Sequence, residues 1–508
     1  MATITPRPET SSEISASVPN ARYPDVLQQF RRLLHSVGYH SCGIAESLEP
    51  SIPISRLLHP DSPVTPLNTF LRLFDREESV TSEAASSAFA PLTVAELVEA
   101  GFVRERDGRV SSEVCIEPYE DLLLVHPYCH EQENAVMSIS ASSLELANFT
   151  VRARSRRTLD LGTGSGLQAI LAATHSDQVY AIDVNPIALE CAQFNCIWNG
   201  ISNVVCKRGN LFEPVIGQKF DLIVTNPPFV ISPFVQLRYR DSGVRGDQFC
   251  INLAREAASF LNEGGYFQMI FQWIDTAEQG WRERLSLAFS GLGCDAWVMR
   301  VATASPDLYV WSWLQDSEEK PLNASSEWHR YLHELETESV SSGLLVLQRA
   351  SERPNSFWFD ESPEDRSRAY GAHIPVLLDA RRFVKDQPDS ILFDHKLQVS
   401  PHLKMIQQAC LDGNRGRQGR SDADISSSGW SLAAAEFRLE EGPRYFYDDV
   451  DTVLASLVAG CDGKHKLARI FEAVAAENEV PLADLKAKYS GQIRELLQYG
   501  FLRSVPSE

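Results

Sequence analysis

No run of this 508-residue chain reaches the roughly 18 consecutive apolar residues of a membrane-spanning helix, so no membrane-embedded segment is expected. The opening "MATITPRPETSSEISASVPNA" has neither a basic nor an apolar leader segment, and no secretory signal is expected from it. Ten cysteines are scattered without a CxxC pair. That argues against a disulfide framework or a zinc-finger spacing and for a reduced, cytoplasmic setting. An excess of cations is missing too: 47 Lys and Arg face 68 Asp and Glu, a formal net charge of −21. A broad nucleic-acid-binding surface is therefore not expected. The two basic clusters, "VRARSRR" at 151–157 and "GNRGRQGR" at 413–420, read as a solvated helix end and a flexible linker. What is present, 44% apolar and 23% charged residues, is ordinary soluble globular protein, and the length suggests about three domains.

Residues 1–22, rich in Ser, Thr and Pro, read as a disordered lead. Residues 23–115 are mostly helical in pattern and close with "LTVAELVEAGFVRERDGRVSSEVCI". A helix followed by two short strands around an Asp-Gly turn predicts a helical, winged-helix-like N-terminal domain. Over residues 116–350, strand-like runs alternate with helical ones: "RTLDLG", "QVYAIDV", "NVVCKRG", "FDLIVTN", "GGYFQMIF", "DAWVMRVA" and "GLLVLQRA". Such alternation predicts an α/β domain with a mainly parallel sheet covered on both faces. An insertion at 304–342 carries one predicted helix, "EWHRYLHELE". Residues 351–450 are mixed and contain the linker 412–429; residues 451–508 predict a small helical or winged-helix-like C-terminal domain.

The first stretch with chemistry is "TLDLGTGSGLQAI", 158–170. A buried strand ends at Asp160, glycines stand at 162, 164 and 166 around Thr163, and a helix follows. Glycines there permit positive φ and close approach of a ligand to a helix N-terminus. A second strand ends some 20 residues on with Asp183, placed to accept hydrogen bonds from ribose hydroxyls. A dinucleotide fingerprint would need Gly or Ala at 167, where Leu167 stands. The order Asp160, Gly162, Gly164, Gly166 strongly resembles class I S-adenosylmethionine-dependent methyltransferases. The resemblance implies a seven-stranded, mainly parallel, Rossmann-like sheet with accessory domains at both ends, and S-adenosyl-L-methionine as cofactor. It places Asp160 at the cofactor's amino-acid end, Gly162, Thr163, Gly164 and Gly166 beneath it, and Asp183 on the ribose. Asn210, in "RGNLFEP", stands where the family commonly has the Asp that meets adenine; its side-chain oxygen still accepts that bond, without charge.

The second stretch is "DLIVTNPPFVISP", 221–233. Two prolines end the strand ladder and hold Asn226 and Phe229 on a stiff backbone at the strand's carboxyl end, where open α/β sheets bind ligands. Asn226, Pro227, Pro228 and Phe229 match the motif of methyltransferases acting on nitrogen conjugated to a planar group. That resemblance implies hydrogen bonds from the target nitrogen to the Asn226 side chain and the Pro227 carbonyl, and Phe229 against the planar face. Positioning would supply most of the catalysis. The region 120–350 is similar to release-factor glutamine methyltransferases and shares Phe229 with some guanine-N2 ribosomal RNA enzymes. The expected substrate is thus a release factor or ribosomal component, protein glutamine ahead of a nucleic-acid base, with no membrane partner. The rivals are a small-amine methyltransferase and a non-catalytic cofactor-binding regulatory or scaffold protein. "LVHPYCHEQENAVM", 124–137, takes the place of the segment that closes over the cofactor in the glutamine enzymes. "TPRPET" near the chain start matches that segment only by chance. His126, Cys129 and His130 lack a second half-site, and His329 with His333 lack the glutamate of a zinc-protease helix, so neither set reads as a metal centre.

Overall fold

The computed structural model describes residues 18–41, 65–128, 135–137, 139–235, 237–315, 323–362, 370–411, 430–439 and 446–505. Most of the expected disordered lead, Cys129, His130, the second basic cluster and the linker 412–429 lie outside the described residues. The chain divides into two compact units. One draws on Met1–Leu144, Arg154–Cys294 and Thr303–Arg353, the other on Glu145–Ala153, Asp295–Ala302 and Pro354–Glu508. Among the described residues, no helix is long and apolar enough to cross a membrane.

The first unit is built on strands β1 (Ser155–Leu161), β2 (Ser176–Asp183), β3 (Val204–Arg208), β4 (Phe220–Thr225) and β5 (Leu261–Asp275). Strand β6 (Cys294–Ala304) falls chiefly in the second unit, and β7 (Ser339–Arg349) returns to the first. In the first unit the order is β7-β5-β4-β1-β2-β3. All neighbours are parallel except β5 and β7, which run antiparallel from Tyr266↔Gln348 to Asp275↔Ser339. Toward their carboxyl ends both strands are buried, Thr158–Leu161 on β1 and Leu222–Thr225 on β4, as a parallel sheet covered on both faces requires. The strand order reverses between β1 and β4, which makes the crevice beyond their carboxyl ends the expected ligand site. The Thr225 hydroxyl donates to the Leu161 carbonyl at 2.9 Å, drawing those two strand ends together.

Two helices set the walls of that crevice. Leu167–Ala173 follows β1, with Leu167 through Ala172 all buried. Pro186–Trp198 follows β2: Asn185 caps it by accepting the Ile187 N–H at 3.0 Å, and Pro186 starts it where no N–H is needed. The far end of this second helix is part of the N-terminal core. Phe194 and Trp198 pack with Phe30, Phe70, Phe74, Phe89 and Phe102, and the Trp198 indole donates to the Leu27 carbonyl at 3.1 Å. The N-terminal region contains several helices, and its closing hairpin (Val103–Arg106 with Arg109–Ser112) turns on Asp107 and Gly108, both at positive φ. A second hairpin, Val114–Tyr119 with Leu122–Pro127, runs beside the Pro186–Trp198 helix. Asn195 accepts the Val125 N–H at 2.8 Å and donates to the Val125 carbonyl at 2.9 Å. Asn199 does the same for Leu123, at 3.1 and 2.8 Å.

The insertion holds two helices, Pro306–Gln315 and Ala324–Glu334, where the sequence predicts one. The first, "PDLYVWSWLQ", is rich in aromatic and β-branched residues of modest helix propensity. Packing of Tyr309 and Val310 against Ile231, Trp328 and Leu332 stabilises it instead.

In the second unit β6 pairs parallel with β8 (Phe357–Glu361), a strand the sequence pattern does not reveal. Its main core joins Val384, Leu392, Phe393, Phe437 and Tyr447 to Leu454, Phe471, Ile493 and Phe501. Strand Lys396–Val399 lies between Asp462–Lys466 and Leu502–Ser504, so residues well before 451 complete the C-terminal sheet.

Candidate active site

A cavity of about 210 Å³ opens at the β1/β4 switch point, entirely within the first unit. Asp160, Gly162, Thr163, Gly164, Asp183, Asn210, Asn226 and Pro228 all line it, so most of the residues singled out by sequence converge. Gly166, Pro227 and Phe229 do not line it. Gly166 caps the following helix with φ 94°, and a Cβ there would stand 3.1 Å from Ala192. Phe229 is half-buried against the Ile231, Tyr309 and Trp328 cluster.

The loop after β1 is held by its own acidic residues. The Thr163 hydroxyl donates to Asp160 Oδ2 at 2.7 Å. Asp183 accepts the Gly164 N–H at 3.0 Å and the Asn185 N–H at 2.9 Å. Gly162 (φ 67°) and Gly164 (φ 55°) have no atom within 4 Å of where a Cβ would sit, so the backbone there borders open space. Burial pushes the Asp160 carboxyl up to about 7; the Thr163 bond opposes the rise and the Asp183 charge adds to it. Burial also raises Asp183, against the backbone N–H bonds it accepts. A buried carboxyl poised near neutrality beside a cavity suits a cationic ligand, whose charge would restore the ionised form.

Asn226 is oriented by residues that no motif announced. Its Nδ2 donates to the Ser142 and Ser143 hydroxyls at 3.0 and 3.1 Å. Those serines share further hydrogen bonds with Ser140, at the start of helix Ala141–Phe149. The amide oxygen of Asn226 is buried and has no hydrogen-bond partner. Gln168 repeats the pattern: its Nε2 donates to the Ser143 carbonyl at 2.8 Å, and its buried Oε1 has no partner. Both residues line the cavity. Two orphan acceptors and a carboxyl in one cavity call for a ligand that brings N–H donors.

Other wall residues escaped the sequence reading because they lie in no recognisable pattern: Ile139, Arg238, Tyr239 and Phe249. Within the expected closing segment 124–137, Ala135, Val136 and Met137 line the cavity, while 129–134 lie outside the described residues. Asn210 sits exposed at the cavity edge, its own N–H directed to Glu213 at 3.4 Å. His329 spends its two ring nitrogens on the Ser325 carbonyl (2.7 Å) and Asp307 (2.9 Å), a solvated helix face as the sequence suggests.

Residues 139–290 match the family model of the methyltransferase small domain, and residues 378–504 match a domain of unknown function. A release factor glutamine methyltransferase of Xylella fastidiosa is 35% identical over 152 residues, 28% of this chain and 54% of that protein. A ribosomal protein uL3 glutamine methyltransferase of Bradyrhizobium diazoefficiens is 48% identical over 122 residues, 22% of this chain and 38% of its own. A tRNA1(Val) (adenine(37)-N6)-methyltransferase of Actinobacillus pleuropneumoniae is 29% identical over 157 residues, 30% of this chain and 64% of its own. The chain spans about half the length of the curated relatives it matches. Residues 139–290, which the methyltransferase small domain matches, thus lie on the mainly parallel, Rossmann-like sheet of the first unit.

Proposed function

We propose that the chain is an S-adenosylmethionine-dependent N-methyltransferase whose target is a planar amide nitrogen of a protein, a glutamine side chain in the translation apparatus. The observation that carries this reading is the buried, unpartnered Asn226 oxygen in the cavity wall. Its orientation is fixed by Ser142 and Ser143, so the acceptor is preorganised before any ligand arrives. An amide NH2 donating to Asn226 Oδ1, with the Pro227 carbonyl as second acceptor, would have its nitrogen turned toward the glycine loop. The delocalised lone pair of such a nitrogen is a poor nucleophile, and holding both hydrogens favours the tetrahedral form that attacks.

The cavity suits the cofactor. Gly162 and Gly164 leave the backbone open to a close ligand, and the Asp160 carboxyl and Gln168 Oε1 await donors of the kind an α-ammonium carries. Asp183 keeps lone pairs for ribose hydroxyls, and Asn210 stands at the edge for adenine. When bound, S-adenosylmethionine supplies a methyl group already activated on a sulfonium, so no strong base is asked of the protein. The net charge of −21 and two relatives named as glutamine methyltransferases support glutamine ahead of a nucleic-acid base.

The test is label transfer from methyl-tritiated S-adenosylmethionine into a desalted lysate lacking this protein, followed by parallel protease and nuclease digestion. Label released by protease alone is expected. Release by nuclease would move the target to a base amine, the substrate class of the tRNA relative. Asn226→Ala should abolish transfer and spare cofactor binding; undiminished labelling by that variant would sink the mechanism.

A further inference from the structure

We propose that the hairpin Val114–Tyr119/Leu122–Pro127 carries a site for a zinc-like divalent metal ion, held by the Cys115 thiolate, the Glu117 carboxylate and the His126 imidazole. Cys115 and His126 are direct cross-strand partners, and Glu117 lies two residues along the same strand. All three side chains therefore rise from one face of the ribbon. Their donor atoms lie within 4.8 Å of one another. His126 and Cys115 are buried, and Glu117 is half-buried.

The decisive detail is how His126 is held. Its Nδ1 lies 2.8 Å from the Pro127 carbonyl, so that nitrogen carries the hydrogen. An imidazole anchored in this way presents the Nε2 lone pair outward, as metal-ligating histidines commonly do. Nε2 is buried, faces Glu117 Oε2 at 3.2 Å and has no well-formed hydrogen bond. A lone pair facing a carboxylate oxygen requires a cation between them, either a proton or a metal ion. A proton would leave the neighbouring thiol without a role. A metal ion would use all three groups, and thiolate with imidazole is the donor set that zinc favours.

Charge balance favours the same conclusion. On binding, the thiol proton and the proton held between His126 Nε2 and Glu117 both pass to solvent, a sulfur–metal bond forms, and the Glu117–His126 contact is replaced by two bonds to the metal. One thiolate and one carboxylate balance the dication, so the buried site becomes neutral. Three protein donors leave one position of a tetrahedral ion to water. Glu117 Oε2 also accepts the Ile139 N–H at 2.6 Å, and Ile139 lines the cofactor cavity. The site is independent of the substrate reading above.

The experiment uses the full chain, freed of metal with chelator under reducing conditions and titrated with cobalt(II). One equivalent should produce a thiolate-to-cobalt charge-transfer band and the strong visible bands of a four-coordinate ion, both lost on adding zinc. Cys115→Ser should remove the charge-transfer band, and His126→Gln should weaken cobalt binding at least about tenfold. Absence of the band in the wild-type chain would overturn the proposal and leave an imidazolium–carboxylate pair. Persistence of the band in Cys115→Ser would overturn it as well, whether or not His126→Gln folds.

Discussion

Gly164 and Gly166 stand two residues apart in the same loop, yet they should fail in different ways when replaced by alanine. Both have positive φ, 55° and 94°, a conformation costing a non-glycine residue about 1–2 kcal/mol. For Gly164 that is nearly the whole structural cost, since a Cβ there would meet nothing within 4 Å. The methyl group would instead project into the space where the cofactor is expected. For Gly166 the Cβ would stand 3.1 Å from both Cα and Cβ of Ala192 on the packed Pro186–Trp198 helix. Overpacking of that kind adds about 1–3 kcal/mol. Gly166→Ala should therefore lose about 2–5 kcal/mol of stability, and Gly164→Ala about 1–2 kcal/mol. Cofactor affinity should show the reverse order, with Gly164→Ala weakened at least about tenfold, or about 1.4 kcal/mol. Urea denaturation midpoints and calorimetric titration with S-adenosylmethionine measure the two quantities. Equal losses of stability, with binding intact in Gly164→Ala, would refute the assignment of one glycine to packing and the other to the ligand.

With the folded Asp160 carboxyl near 7 against an ordinary 3.8, the folded state keeps an extra proton between those values. Ligand-free stability should then fall as pH rises through that window and level off above it; Asp160→Asn should erase the slope and exceed the wild type at alkaline pH. In the wild type, cofactor affinity should drop by up to about tenfold per pH unit below about 7, which isothermal titration across pH would show. Ser142→Ala or Ser143→Ala alone should slow methyl transfer little, since the other hydroxyl still holds Asn226. The double variant should lose about tenfold in kcat with cofactor affinity unchanged; an equal loss of binding would point to general damage instead. Tyr309→Phe removes the hydroxyl that accepts the Ile231 N–H at 2.9 Å and donates to Gln272 at 2.6 Å. The buried pair left behind should cost about 1–3 kcal/mol in a denaturation curve, and an unaltered midpoint would contradict that role.

The glycine loop and the Asn-Pro-Pro-Phe turn were legible because each is contiguous and built from residues with few backbone alternatives. What orients them was not. Ser142 precedes Asn226 by 84 positions, and a serine has neither the period nor the bulk that marks a place in the fold. Gln168 reads as one more residue of an apolar helix until its unpartnered oxygen is seen at the cavity wall. Phe229 was expected over the substrate plane, and its packing with Tyr309 and Trp328 depends on an inserted helix that local propensity does not announce. For the C-terminal core, strand Lys396–Val399 joins partners more than sixty residues away, a pairing that only tertiary packing can set.

The Asn195 and Asn199 amides have a consequence beyond holding a hairpin in place. Residues four apart on a helix rise about 6.0 Å, and residues two apart on a strand about 6.8 Å. That near-coincidence lets one helix face present two carboxamides in step with alternate peptides of the strand, so side chains stand in for a missing neighbouring strand. The outer rim of the hairpin is thereby closed to recruitment by another chain, without proline, lysine or a bulge at those two peptides. The same Asn195 Nδ2 also donates to the Ser165 carbonyl at 2.8 Å, inside the glycine loop. A single-residue insertion between 195 and 199 would break the phase and leave only one of the two carboxamides able to meet the hairpin strand.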